Sequence, residues 1–187
     1  MRQYVVAFVC YDISMDNLFT FMETKTDAKP FIKWAGGKSQ LVQSISRIMD
    51  SADLSNMEKY AEPFIGGGAM LFYVLQNYSF KEIFISDKNK NLVNTYLAVK
   101  NDVIGIIKIL KDLQNKYNPA RTEERQTQFY EIRDLFNNTS LNGSVSVEKA
   151  AWFIFLNKTC FNGLYRVNRL GHYNVPMGKY SFPKICV

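Results

Sequence analysis

The chain has 187 residues, 47% of them apolar and 21% charged, and a formal net charge of +6. This length and apolar share favour one globular domain, or one with an insertion, over two full domains. Its three cysteines, Cys10, Cys160 and Cys186, are odd in number and lack Cys-x-x-Cys spacing, which argues against a disulfide framework and a zinc site and fits a reducing cytoplasm.

Residues 1–28 read as an amino-terminal extension. An apolar run at 4–11 follows Arg2 and predicts a buried strand. It is too short to cross a bilayer, and Asp12 and Asp16 stand where a secretory signal would carry small residues. A soluble, cytoplasmic protein with no membrane partner is therefore expected. Residues 12–29 are polar and poorly periodic, as in a connector, and Met22 offers a second start close to the first glycine turn. Residues 1–21 are expected to contribute little to function.

From Lys38 onward, Leu41, Val42, Ile45, Ile48 and Met49 follow helical spacing, so the Gly36-Gly37 turn opens into a helix. Residues 60–64 predict a short strand, Gly66-Gly67-Gly68 a tight turn and 69–76 a helix. A second strand at 82–86 ends at Asp87, and a helix over 88–100 follows. The order strand, glycine turn, helix, strand, acid begins a parallel α/β sheet. After Asn101 the stripes Val103, Ile107, Leu110, Leu113, then Phe129, Ile132, Phe136, then 147–156, predict core-facing helices. Turn signals at Asn162-Gly163 and Leu170-Gly171 predict a β-hairpin of 165–167 with 173–175.

Three features carry chemistry. A glycine turn between strand and helix lets backbone amides approach an anionic or polar ligand, and Gly66 to Gly68 suit that role. Asp87 lies about twenty residues further on, where a carboxylate can accept hydrogen bonds from ribose hydroxyls; a helix N-cap is its alternative role. The third feature is the tail: residues 151–187 hold Lys158, Arg166, Arg169, Lys179 and Lys184 and no Asp or Glu. Within it, Asn157, Lys158, Phe161, Asn162, Tyr165, Arg166, Asn168 and Arg169 interleave amides, cations and rings, a mixture that can touch phosphates, read base edges and stack on bases. His172, the sole histidine, reads as a surface turn residue, and Cys160 as packing. Gly36-Gly37-Lys38-Ser39 invites comparison with a P-loop, but Ile32 stands where that motif needs its first glycine. A P-loop-like nucleotide-binding protein is kept as the lesser alternative.

The segments KWAGGKSQL, EPFIGGGAMLF, SDKNKNLVNTY and NKTCFNGLYRVNRLGHYNVPMGKY, in this order, resemble the Dam-type (D12 class) adenine-specific DNA methyltransferases. The resemblance covers about residues 30–185. It implies an incomplete Rossmann-like α/β sheet binding S-adenosylmethionine, with a helical and β-hairpin insert that recognises double-stranded DNA. On this basis residues 29–100 form the cofactor-binding part and 101–187 the target-recognition insert. The resemblance implies cofactor contacts from Trp34, Lys38, Glu62, Phe64, Gly66 and Asp87. It implies DNA contacts from Lys33, Asn162, Arg166, Lys179 and Tyr180.

The family's catalytic Asp-Pro-Pro-Tyr motif is absent, because the five prolines, at 30, 63, 119, 176 and 183, are nowhere adjacent. No catalytic or metal-binding residue is assigned. The expectation is a chain that stops before the catalytic part, with little turnover by itself and a complementing carboxy-terminal polypeptide as a partner. A non-catalytic DNA-binding or accessory protein is the alternative. In the family the missing strand lies beside the one at 60–64, and the run at 4–11 is a candidate to cover part of that edge.

Overall fold

The structure, a computed structural model, describes residues 4–9, 28–54 and 56–186. The connector at 12–27, with Met22, and Cys10 lie outside the described residues. The chain divides into two compact units, one of Met1–Pro30 with Gly37–Lys88, the other of Phe31–Gly36 with Asn89–Val187.

The first unit holds a three-stranded mixed sheet in the order β1-β3-β2, from β1 (Tyr4–Val9), β2 (Lys59–Glu62) and β3 (Glu82–Asp87). β2 and β3 run parallel, pairing Lys59 with Glu82 and Glu62 with Ile85, as the strand–turn–helix–strand pattern predicts. β1 pairs antiparallel along the whole of β3, from Tyr4 opposite Asp87 to Val9 opposite Glu82. Residues 4–9 of the amino-terminal apolar run thus form a strand, but it lies on the edge of β3 away from β2. It does not cover the edge of the strand expected at 60–64, which is itself shorter, ending at Glu62 before Pro63. Proline has no amide to donate to a ladder, so pairing stops there.

α1 (Val42–Ser51) follows a single 3₁₀ turn at Lys38–Gln40, and α2 (Ala69–Asn77) leaves the triple-glycine turn. The apolar stripe of α1 is genuine, yet Leu41 and Ile48 are exposed and Ser46 is the helix's buried residue. α2 is the better buried of the two. Its Met70, Leu71 and Val74 join Ile65, Phe80, Ile83 and Ile85 in the core of this unit.

The second unit is helical, built from α3 (Lys90–Tyr117), α4 (Thr122–Asn138) and α5 (Val147–Thr159). The sequence pattern separates a helix ending near Lys100 from a stripe beginning at Val103. The structure runs them together across a kink at Asp102, whose backbone leaves the helical region while its carboxylate accepts the Gly105 amide at 2.8 Å. Asp102 therefore acts as an internal cap that restarts the helix. Asn89 caps the start of α3, its side chain accepting from the amides of Asn91 and Leu92 at 3.0 and 3.2 Å.

α5 is apolar nearly all round, the pattern of a helix enclosed by others. It buries Ala150, Ala151, Phe153, Ile154, Phe155 and Leu156 against α3 and α4, where Leu110, Tyr117, Phe129, Ile132 and Phe136 complete the core. A buried asparagine of α3 fixes its start: Asn94 donates to the Ser146 carbonyl and accepts its amide, both at 2.9 Å. Beyond α5 the expected hairpin is reduced to one bridge, Val167 with Tyr173, closed by the Asn168 side chain accepting the amides of Leu170 and His172. No helix among the described residues is long and apolar enough to cross a membrane.

Candidate cofactor and nucleic-acid sites

In the first unit the glycine turn and the acid of the next strand meet. Gly66 has φ +52° and Gly68 φ +79°, left-handed conformations that a residue with a Cβ adopts only at a cost, and they swing the chain from β2 into α2. The Gly66 amide donates to Asp87 Oδ2 at 3.2 Å, while Ile65 N is held by the Ser86 carbonyl at 3.0 Å. Asp87 is 8% exposed and belongs to the strand end; the N-cap role falls to Asn89.

A second cluster lies at the end of β2. Glu62 is 5% exposed and is matched by two donors, Lys38 Nζ at 2.8 Å and the Tyr60 hydroxyl at 3.1 Å. Lys38 also donates to the Phe64 carbonyl. The ammonium thus joins the first glycine turn to the segment before the second. Burial, and then the charge and hydrogen bond of Glu62, push the Tyr60 hydroxyl well above the ordinary tyrosine value, so it stays a donor. Phe64 projects outward with 67% of its surface exposed, available to a ligand's apolar face. Lys38, Glu62, Phe64, Gly66 and Asp87 therefore all belong to the first unit. Residues 28–35, which lead into Gly36, form no strand, and the lysine after the glycines is committed to Glu62 and Phe64, unlike the strand-borne phosphate loop of an NTPase.

Trp34 stands in the second unit, stacked on Tyr165 at 5.5 Å between ring centroids and 23° between planes, with Phe153 at 6.2 Å. Tyr165, expected among the recognition side chains, is committed to this aromatic cluster and to Asn91, whose amide nitrogen lies 3.2 Å from its hydroxyl. Lys33 is exposed, its Nζ 5.3 Å from the centre of the Tyr180 ring. Asn162 is exposed in a left-handed conformation, φ +54°, which asparagine tolerates better than most residues. Arg166 is exposed and oriented by Asn174, which accepts through its side chain at 2.8 Å and its carbonyl at 3.3 Å. Lys179 is exposed as well. Lys158 is half-buried, and burial followed by the nearby charge of Lys33 holds its ammonium below the usual lysine value.

Asn157 corrects the sequence reading. Its sequence neighbours group it with surface amides, but it is 3% exposed and its amide is spent on backbone groups. Two further residues carry roles that the sequence pattern does not mark. Tyr60 looked like an ordinary strand residue. Arg125, in a polar stretch of α4, donates to the carbonyls of Tyr117, Asn118, Tyr180 and Ser181, tying the segment that bears Lys179 and Tyr180 to the α3–α4 junction. An arginine in a charged helix carries no local signal of such a role. His172 is exposed in its turn and Cys160 is fully buried, as expected. No metal-holding cluster of His, Cys, Asp or Glu occurs among the described residues.

Residues 34–186 match the D12 class N6 adenine-specific DNA methyltransferase family. The chain belongs to this family. Type II methyltransferase M.MjaIII of Methanocaldococcus jannaschii is 48% identical over 160 residues, which cover 85% of this chain and 55% of the relative. Type II methyltransferase M1.LlaDCHI of Lactococcus lactis subsp. cremoris is 32% identical over 163 residues, 87% of this chain and 52% of the relative. The DNA adenine methylase of Serratia marcescens is 33% identical over 156 residues, 83% and 51% respectively. The D12 chain thus spans about half the length of these relatives. Its mixed α/β build, with a glycine turn and an acid at successive strand ends, is the Rossmann-like arrangement expected of a D12 methyltransferase.

Proposed function

We propose that this chain is the S-adenosylmethionine-binding and DNA-recognising part of a DNA adenine N6-methyltransferase. The observation that carries the reading is the hydrogen bond of the Gly66 amide to Asp87, which unites the glycine turn and the strand-end acid in one cradle. When bound, the cofactor supplies an electrophilic methyl group on a sulfonium. The residues fit such a ligand. Asp87 offers a carboxylate to ribose hydroxyls and Phe64 an exposed ring, while the Glu62 carboxylate balances the Lys38 ammonium beside them. Lys38 and Tyr60 hold the Glu62 carboxylate in one orientation.

Double-stranded DNA is the proposed substrate. The acid-free tail supplies cations for phosphates, and exposed Lys33, Asn162, Arg166 and Lys179, with the half-buried Tyr180, supply groups for base edges and backbone. These 187 residues contain no Asp-Pro-Pro-Tyr, so acceptance of the adenine amino group lies outside them in this proposal.

Isothermal titration of S-adenosylmethionine into the chain and into its Asp87→Ala variant tests the cofactor half. Losing hydrogen bonds to a charged acceptor costs about 1.5–3 kcal/mol, so the variant should bind roughly ten to one hundred times more weakly. Equal affinities, or no heat from the unmodified chain, would refute it. A methyl-transfer assay on duplex DNA with these 187 residues alone should give no turnover above background, and methylation at an enzymatic rate would overturn the assignment of that step to residues outside them.

A further inference from the structure

We propose that Asn157 is a positioning residue for DNA recognition. Buried at the end of α5, it fastens the backbone of Lys33 to the turn at Phe161–Gly163, so that two stretches of chain far apart in sequence present one contact surface. The inference rests on the DNA-binding reading above.

Asn157 cannot touch a duplex itself, being 3% exposed. Its Oδ1 accepts the Lys33 amide at 2.8 Å, and its Nδ2 donates to the Lys33 carbonyl at 2.8 Å and to the Gly163 carbonyl at 2.9 Å. Both amide hydrogens and an acceptor lone pair are therefore spent on peptide groups of two segments. A carboxamide is suited to this, since it pairs with a peptide unit in both directions.

The segments also touch directly. Gly163 has φ +64°, and a Cβ there would lie 2.5 Å from Lys33 Cδ and 2.7 Å from Lys33 Cβ. Asn162, exposed, sits next to this contact, and Lys33 Nζ reaches over the Tyr180 ring. The same end of α5 holds the segment leading to Tyr180: Gly178 N donates to the Thr159 carbonyl at 2.8 Å, and Cys160 forms an isolated β-bridge with Met177. Lys33, Asn162 and Tyr180 thus take their positions from one helix end. Recognition groups held loosely lose specificity sooner than they lose general affinity, because phosphate contacts tolerate displacement and base contacts do not.

The test measures the ratio of affinities for preferred and scrambled duplexes, which does not change with the fraction of folded protein. The full chain, with excess S-adenosylmethionine, is offered a duplex pool with a randomised core, and sequencing of the bound fraction defines the preferred site. Fluorescence anisotropy then gives the ratio. Asn157→Ala should lower it at least fivefold while scrambled-duplex affinity changes less than threefold. Lys33→Ala should lower it too, and the double variant should fall within threefold of the worse single variant, because both act through the same contact.

If Asn157→Ala does not fold, Asn157→Asp decides in its place. It keeps the volume and the acceptor for Lys33 but sets an oxygen against the two carbonyls, and it should show the same loss. A loss below fivefold in the deciding variant, an unchanged ratio in Lys33→Ala, or multiplying losses in the double variant would overturn the proposal. An unmodified chain with a ratio near one would instead overturn the DNA-recognition reading, and this proposal with it.

Discussion

The Lys38–Glu62 pair offers the sharpest test of how the first unit is held. Glu62 has a side chain 6% exposed, and Lys38 is 32% exposed, so removing the ammonium leaves a nearly dry carboxylate whose remaining donor here is the Tyr60 hydroxyl. It also takes a donor from the Phe64 carbonyl. Breaking a fully buried pair costs about 3–5 kcal/mol, and water reaching the exposed third of the lysine position reduces this to roughly 2–3 kcal/mol. For a chain of this size, Lys38→Met should therefore lower the thermal midpoint by about 5–10 °C. Glu62→Gln combined with Lys38→Met should restore most of the loss, since a neutral amide can accept from Tyr60 and donate to the Phe64 carbonyl. Thermal unfolding followed by circular dichroism measures all three chains. A Lys38→Met midpoint within about 1 °C of the unmodified chain, or a double variant that sums two losses, would refute the reasoning.

Arg125→Lys keeps the charge but loses the planar fork that serves four carbonyls, and should cost about 2 kcal/mol in urea unfolding; an unchanged midpoint would show that those bonds contribute little. Lys149 is buried with its ammonium on the carbonyls of Phe136 and Thr139, and burial, then the charge of Lys90, holds it below the usual lysine value. Between that lowered value and the unfolded one the unfolded chain binds more protons, so this group makes stability rise with pH. Urea midpoints from pH 8 to 10 should accordingly shift in favour of the unmodified chain over Lys149→Met, and a constant difference would refute the assignment.

What the sequence by itself determined is local. The apolar run at 83–85, the glycines at 66–68, the acid at 87 and the stripe Phe129, Ile132, Phe136 each record an interaction within one strand, turn or helical face, and each appears where its spacing puts it. The approach of Gly66 to Asp87 is legible for the same reason, because the two lie on consecutive elements. Partner choice is different in kind. Whether residues 4–9 lie beside β2 or β3 depends on which edge is open once the sheet has formed, and no local pattern records it. Asn157 among lysines and asparagines reads as surface, yet the return of Lys33 across 124 positions of sequence makes it a buried clasp. Arg125 and the stack of Trp34 on Tyr165 are likewise set by chain crossings. Short-range patterning selects the elements, but a side chain's hydrogen-bonding partners are fixed only when distant backbone arrives to desolvate it, and that arrival is a property of the tertiary structure.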